Sequence, residues 1–295
     1  MNRAAKIKLA GTFYGAAAAA CYGMNPLFAL PLYHRGMGVN SVLFYRYVFA
    51  LVLLFVWLKF FKKVSLKITK SELLPLFFMG ITFSFSSLML FQSYNYMDAG
   101  VASTILFIYP VLVAILMTVF FKEKLKIATV SSILLTTLGI FLLYHGKNSE
   151  KLSTAGVLLV FLSALSYALY IIGVREIKAL RKINSSKLIF YVTLFGLIIY
   201  IYNLHFLRDL EILKTPFMWL DAVALALFPT IISLIAMTHS IKLIGPTPAA
   251  VLGALEPVSA VFFGVCIFQE QLTLRIIAGI LTILAAVIII ILKRK

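Results

Sequence analysis

Long apolar runs alternate with short polar segments along the whole chain. Each run has about 20 residues, the length that a helix needs to cross about 30 Å of hydrocarbon. Polar and apolar positions do not alternate with the period of two that a membrane β-barrel requires. The pattern therefore predicts an all-α membrane protein with ten transmembrane helices, at 9–31, 40–61, 73–97, 99–121, 127–145, 154–174, 187–206, 217–241, 246–268 and 273–292.

Two stretches of the chain share one layout. Residues 98–125 and 245–272 lie 147 positions apart, and in both a run of small residues opens an apolar helix. A proline then interrupts the middle, Pro110 in one and Pro257 in the other, and a glutamate with a leucine two places later follows the end. The shared layout indicates an internal repeat.

A second alignment extends the repeat to the start of the chain. At an offset of 145 positions, Tyr22 aligns with Tyr167. We predict one membrane domain made of two repeats, 1–148 and 149–295, with five helices each. Because five is odd, the second repeat enters the membrane inverted. Inverted repeats recur in secondary transporters, whose substrate site lies between them near the membrane midplane.

Composition indicates a membrane protein, and the distribution of its basic residues predicts its orientation. Hydrophobic residues make up 62% of the chain, and the mean hydropathy is +1.04. The net charge of +17 comes from short basic clusters between the apolar runs, which are typical of orientation signals and argue against nucleic-acid binding. Most of these clusters lie on the cytoplasmic side if both termini are cytoplasmic. We expect a multi-pass protein of a bacterial-type inner membrane.

These features together resemble a known family. An arginine lies in the second run (Arg46), a proline lies in the middle of the fourth and ninth runs, and a Glu-x-Leu follows both. On these residues the chain resembles EamA-type members of the drug/metabolite transporter superfamily. The resemblance implies a secondary transporter that does not hydrolyse ATP, often an exporter of amino acids or other small metabolites, with a central cavity lined by both halves. The sequence has no GxxxxGK[ST] nucleotide-binding loop, which agrees.

Glu256 is the strongest candidate for a functional residue. A carboxyl group in the middle of an apolar run usually faces a cavity and marks an ion, proton or substrate site. Pro257 lacks an N–H and frees the carbonyl of Gly253, which weakens the helix there. Tyr109 occupies the matching position of the first repeat, where its hydroxyl would reach Glu256 or line the same cavity. Structural roles stay open for both side chains. Four prolines predict helix kinks: Pro26, Pro110, Pro229 and Pro257.

Helices one and six present matching polar and aromatic faces. Ser163, Tyr167 and Tyr170 share one face because they are spaced at helical intervals, and Tyr22 and Asn25 lie at matching positions of the first helix. Two symmetry-related faces of this kind suit a midplane cavity. Packing alone would also explain them.

Other polar side chains are weaker candidates. Gln92 and Tyr96 share a face near the outer end of the third helix and are expected to line a vestibule. His239, near a membrane boundary, is a candidate pH sensor or a packed side chain. Arg46 either extends to the outer headgroups or attracts an anionic group such as a substrate carboxylate.

The sequence therefore predicts a secondary active transporter that exports small metabolites, such as amino acids, by alternating access, with proton coupling through Glu256 left open. A passive facilitator or channel is the alternative, and a membrane-embedded enzyme is less favoured because the four histidines lie near helix ends. The expected partners are a small-molecule metabolite and membrane lipid, without nucleic acid, and the protein is a monomer or homodimer. We expect no catalytic residues, metal or cofactor.

Overall fold

The computed structural model describes residues 3–97, 99–124, 126–143, 153–259, 262 and 273–292. These residues are helical apart from short connections, and they contain no β-strand. The prediction of an all-α protein is confirmed. Cys266, Glu270 and most of the second half of the ninth predicted run lie outside the described residues.

Fourteen α-helices can be given bounds. They are α1 Arg3–Tyr22, α2 Asn25–His34, α3 Val39–Val56, α4 Lys70–Ser93, α5 Ala99–Leu106, α6 Tyr109–Phe121, α7 Ile127–Leu143, α8 Thr154–Glu176, α9 Lys178–Arg181, α10 Ser185–Asn203, α11 Pro216–Ala226, α12 Ser233–Ile244, α13 Pro246–Leu252 and α14 Leu274–Leu292. Residues 255–259 form a further helical segment, and π-helical turns extend α3 at Trp57–Phe61 and join α11 to α12 at Leu227–Ile232.

Five helical segments in the described residues are long and apolar enough to cross a membrane. They are Val39–Phe61, Lys70–Ser93, Thr154–Glu176, Ser185–Asn203 and Pro216–Ile244. Shorter apolar helices accompany them at Tyr109–Phe121, Ile127–Gly139 and Ile277–Ile289. The arrangement of ten spans in two inverted repeats stays a prediction.

Three of the predicted runs are broken rather than continuous. Turns at Gly23–Met24, Phe107–Ile108 and Gly253–Ala254 separate α1 from α2, α5 from α6, and α13 from the segment 255–259. Pro26 and Pro110 each lie in the first turn of the helix after a break. Proline suits that position because its missing N–H would have no partner there. The expected kinks at these two prolines are therefore complete breaks followed by a new helix.

The other two prolines also lie in or close to irregular backbone. Pro229 is inside the π-helical turn between α11 and α12. Pro257 lies in the helical segment 255–259, four residues after Gly253. Each proline removes one backbone donor, so each leaves a carbonyl that needs another partner.

Close helix packing surrounds these breaks. α4 packs along α8 and α10, α3 packs against α10 and α11, α1 packs along α12, and α7 packs along α14. A Cβ added at Gly11 or Gly15 of α1 would overlap side chains of Ile244 and Leu252, so α1 approaches its neighbours closely. Small residues allow this close approach between membrane helices.

Large apolar side chains cover the outside of the bundle. A surface of this kind faces lipid in a membrane protein, because a water-exposed apolar patch of such extent would aggregate. Examples that are more than half exposed are Phe13, Val119, Phe120, Leu134 and Leu281.

Candidate functional site

A cluster of four buried tyrosines lies where the broken helices meet. Tyr167 of α8 is its centre, with ring centroids 5.9 Å from Tyr22, 4.9 Å from Tyr109 and 6.3 Å from Tyr170. Each of these side chains is at most 5% exposed. Tyr167 and Tyr170 point the same way because residues three apart share a helix face. We call Tyr22, Tyr109, Tyr167 and Tyr170 the tyrosine cluster.

Glu256 lies against this cluster. It is buried, and the Tyr109 hydroxyl donates a hydrogen bond to its Oε1 atom at 3.4 Å. The two residues are 147 positions apart, which is the offset of the sequence repeat. Tyr109 is the first residue of α6, so the break before that helix positions its side chain. The structure thus brings together the two residues that the repeat pairs.

Glycines bring the three helix breaks into contact with one another. A Cβ on Gly253 would overlap the Tyr109 hydroxyl, and a Cβ on Gly23 would overlap the backbone carbonyl oxygen of Glu256. The carbonyl of Gly253, freed by Pro257, accepts a hydrogen bond from the Glu256 N–H at 2.8 Å. The backbone polar group released by the proline is therefore satisfied by a tighter turn, which holds Glu256 beside the break.

Asn25 satisfies the backbone at the first break. Its side chain is 2% exposed, and its Nδ2 atom donates a hydrogen bond of 2.9 Å to the carbonyl of Tyr22. Its Oδ1 atom is buried and has no hydrogen-bond partner among the described residues. Asn25 therefore presents one unsatisfied acceptor close to the tyrosine cluster.

Arg46 of α3 is completely buried, at 0% exposure, which excludes an extended path to the lipid headgroups. Its Nε atom donates to Thr230 Oγ1, its Nη2 atom donates to the Pro229 carbonyl at 3.5 Å, and its guanidinium lies 5.3 Å from the ring centroid of Phe91. The Thr230 hydroxyl in turn donates to the Leu225 carbonyl at 2.9 Å. Leu225 is four residues before Pro229, so this hydroxyl fills the place of the missing proline N–H.

Arg46 and Glu256 are the two buried charged side chains among the residues that the structure describes. They form no ion pair with each other in that part of the chain. Helix α4 contacts the surroundings of both groups: its Phe91 ring lies 5.3 Å from the Arg46 guanidinium, and its Phe83 ring lies 6.3 Å from the ring of Tyr167. The cation and the carboxyl group therefore lie on different helices, and α4 carries an aromatic side chain towards the surroundings of each.

A second tyrosine pair adjoins Arg46 and was missed by the sequence analysis. The rings of Tyr47 and Tyr200 lie 4.8 Å apart, and the Ser84 hydroxyl donates to the Tyr47 hydroxyl at 3.0 Å. The Tyr200 hydroxyl donates to the Ser84 carbonyl at 3.0 Å. Tyr47 directly follows Arg46, and Ser84 lies in the third predicted run, which is rich in polar residues. Both residues could therefore have been singled out from the sequence. No sequence feature marks Tyr200 as their partner.

Comparison with known proteins decides the family. The model of the EamA-like transporter family matches residues 9–145 and again residues 154–292. The chain belongs to the EamA-like transporter family. Membership makes it a membrane protein of a transporter family, in agreement with its apolar helices.

Relatives of this EamA-like transporter occur in bacteria and archaea. It is 25% identical over 267 residues to the uncharacterized transporter YxxF of Bacillus subtilis, covering 89% of this chain and 84% of the relative. It is 24% identical over 279 residues to an uncharacterized transporter of Archaeoglobus fulgidus, covering 93% and 95%. A protein of known crystal structure superposes with a TM-score of 0.76 at 17% identity, over 95% of each chain. That likeness shows a shared fold alone.

Ser163 of the EamA-like transporter makes its hydrogen bonds away from Glu256. Its hydroxyl donates to the Ser86 carbonyl at 2.7 Å, and the Ser86 hydroxyl donates to the Ser163 carbonyl at 2.9 Å. Both side chains are buried between α4 and α8. This reciprocal pair joins two helices, so the geometry gives Ser163 a packing contact rather than a place in the tyrosine cluster.

Three other predicted residues lie apart from the tyrosine cluster. Gln92 is near the end of α4 and accepts a bond from Asn95 at 3.4 Å, and Tyr96 is 53% exposed in the following turn. His239 of α12 is half-buried, with Nδ1 at 2.8 Å from the Ile235 carbonyl and its ring 5.1 Å from that of Tyr14. None of these contacts joins them to Glu256.

An open surface cleft of about 680 Å³ also lies elsewhere in the molecule. Its lining shares no residue with the tyrosine cluster, so it is not part of this site. The lining residues are Asn40, Tyr202, Asn203, His205, Phe206 and Arg208. Among the described residues, no three His, Cys, Asp or Glu side chains lie close enough together to hold a metal ion.

Proposed function

We propose that this EamA-like transporter is a secondary active exporter of small metabolites such as amino acids. It works by alternating access through a cavity between two inverted halves of five membrane helices, 1–148 and 149–295. It lies in a bacterial-type inner membrane with both termini in the cytoplasm.

Two observations support the division into halves. The family model matches twice, once in each half of the chain. The helix contacts are also those that such a repeat predicts, because α4 packs along α8 and α12 packs along α1. In the predicted order of ten helices, the first contact joins the third helix to the sixth. The second contact joins the eighth helix to the first, which are the counterparts of the third and sixth in the other repeat. Two nearly equivalent halves suit a protein that opens to either side at similar energy.

The contact between Tyr109 and Glu256 carries the assignment of the site. A carboxyl group buried in a membrane protein is costly and marks a transport or ion pathway more often than a packing contact. Glu256 lies at the junction of three helix breaks, and broken helices in transporters supply polar groups at the substrate site. We assign Glu256, Tyr109, Tyr22, Tyr167, Tyr170 and Asn25 to the cavity. Proton coupling through Glu256 is part of the proposal.

The test is an export assay in bacteria that express the protein. Intracellular and extracellular metabolites are compared for wild type, Glu256→Gln and the control Asp209→Asn. Asp209 is 61% exposed and pairs with His205 at the surface, so its variant makes the same acid-to-amide change outside the site. We expect wild type and Asp209→Asn to enrich a compound in the medium. We expect Glu256→Gln to lower the rate about tenfold or more, the effect of losing one charge-assisted contact.

The outcomes separate the alternatives. Accumulation of the compound against its gradient, lost on addition of a protonophore, supports active transport. Equilibration without accumulation identifies a passive facilitator. Depletion of the compound from the medium reverses the direction of transport. Equal export by Glu256→Gln and wild type, at equal membrane levels, contradicts the assignment of Glu256.

A further inference from the structure

Arg46 is a buried cation without a buried anion to neutralise it. Its side chain is fully enclosed, yet the described residues provide no carboxylate partner for it. Its neighbours are a hydroxyl, a backbone carbonyl and an aromatic ring, from Thr230, Pro229 and Phe91. Neutral partners compensate a buried charge only in part, and an uncompensated charge is strongly destabilising.

The nitrogen atoms of the Arg46 guanidinium differ in their hydrogen bonds. Nε and Nη2 are directed at the π-helical turn through Thr230 and the Pro229 carbonyl, whereas Nη1 is buried and has no hydrogen-bond partner in the part of the chain that the structure describes. An arginine that served only to join helices would be expected to use all of its donors, since each unsatisfied buried donor lowers stability. The geometry instead leaves the Nη1 amino group for an acceptor that the described residues do not supply.

We propose that Arg46 is the anion-binding group of this transporter and takes the carboxylate of the transported molecule through Nη1, an inference that rests on the proposed function. A carboxylate is the acceptor class that fits, because it neutralises the charge and accepts a charge-assisted hydrogen bond from the guanidinium. A neutral hydroxyl or amide would satisfy Nη1 but leave the charge buried.

Glu256 defines the other side of the same site. It is acidic where Arg46 is basic, and α4 contacts the surroundings of both groups, through Phe91 at Arg46 and through Phe83 at Tyr167 of the tyrosine cluster. A substrate that carries a carboxylate at Arg46 can therefore place a cationic or hydrogen-bond-donating group towards Glu256. Because Arg46 and Glu256 bind different parts of the substrate, the substrate is held in one orientation. The site therefore favours substrates that retain the carboxylate.

The test compares acids with their carboxamides in proteoliposomes that contain the purified full-length protein. The probes are L-leucine, L-phenylalanine and L-serine, each paired with the amide in which the carboxylate has become a neutral group. We expect wild type to transport at least one acid roughly tenfold to a hundredfold faster than its amide, from the loss of one charge-assisted bond. In Arg46→Gln that preference falls to about one.

Two control variants test whether the preference for the acid depends on the guanidinium of Arg46. Arg46→Lys retains the charge but not the planar donor arrangement, so it should keep part of the preference for the acid. Arg35→Gln removes an arginine whose side chain is 39% exposed and pairs with Asp221 at the surface, so it should retain the full preference. Unchanged preference in a folded Arg46→Gln overturns the assignment.

Wild type alone can also refute the proposal. Transport of an acid and its amide at equal rates excludes a carboxylate requirement, whatever the variants do, and leaves the proposed function intact. Absence of transport for all six probes, in vesicles with correctly inserted protein, counts against carboxylate recognition of these substrates. The export assay with Glu256→Gln then decides separately whether the proposed function also fails.

Discussion

Thr230→Val tests the hydrogen-bond chain that holds Arg46. Valine matches threonine in shape but lacks the hydroxyl that accepts from Arg46 Nε and donates to the Leu225 carbonyl. Both of these groups are then buried without a partner, because Pro229 has no N–H to offer the carbonyl. The change removes two hydrogen bonds with almost no change in volume.

The expected loss of stability follows from those two bonds. An orphaned buried polar group costs about 1 to 3 kcal/mol, and hydrogen bonds between membrane helices average about 0.6 kcal/mol. We therefore expect Thr230→Val to lower the free energy of unfolding by about 2 kcal/mol. For a chain of 295 residues that corresponds to a fall of about 3 °C in Tm.

The assay is thermal unfolding of the purified protein in detergent, with two matched controls. Thr230→Ser keeps the hydroxyl and should stay close to wild type. Thr193→Val removes a buried hydroxyl that donates only to the carbonyls of Ile189 and Phe190 in its own helix, so it should change stability by less than about 0.5 kcal/mol. Equal Tm values for Thr230→Val and Thr193→Val would refute the hydrogen-bond chain.

Two further predictions concern helix contacts. Gly23→Ala should lower Tm and abolish transport, because the added Cβ would overlap the backbone of the opposing broken helix. Thermal unfolding and export assays on the variant check this. A wild-type Tm and wild-type export would contradict the contact. Ser86→Ala and Ser163→Ala should couple in a double-mutant cycle of unfolding free energies by about 0.5 to 1.5 kcal/mol, since the two hydroxyl oxygens lie 3.1 Å apart, within hydrogen-bond distance of each other. Strictly additive effects would argue against a hydrogen bond between the two hydroxyls.

Much of the aromatic site could be predicted from periodicity and the repeat. Helical spacing fixes the common face of Tyr167 and Tyr170, and the offset of the repeat by itself pairs Tyr109 with Glu256. These relations are local or symmetric, so a sequence contains them. The helix breaks were harder to predict. Proline marks a weak point, but whether the helix kinks or restarts depends on the helices that pack against it.

The partners of Arg46 could not be predicted in the same way. Thr230 lies 184 residues further along the chain, and Arg46 reaches it only because α3 packs beside the π-helical turn between α11 and α12. Pro229 was recognisable as an irregular position, but a proline alone does not say which side chain approaches the irregular backbone. The choice between an arginine that extends to the headgroups and one that is buried is made by this tertiary contact.

Both buried charges lie beside a defect in a helix, and the chemistry of the backbone explains why. A regular membrane helix uses every internal carbonyl for its own hydrogen bonds, so it has none to offer a buried cation. The irregular turn at Pro229 exposes a carbonyl to Arg46, and the break at Gly253 positions Glu256 against Tyr109. The residues that weaken the helices thus also supply the polar partners. A displacement at either defect must change the partners of a buried charge, so under the proposed function it couples the position of the broken helices to the proposed substrate site at Arg46 and Glu256.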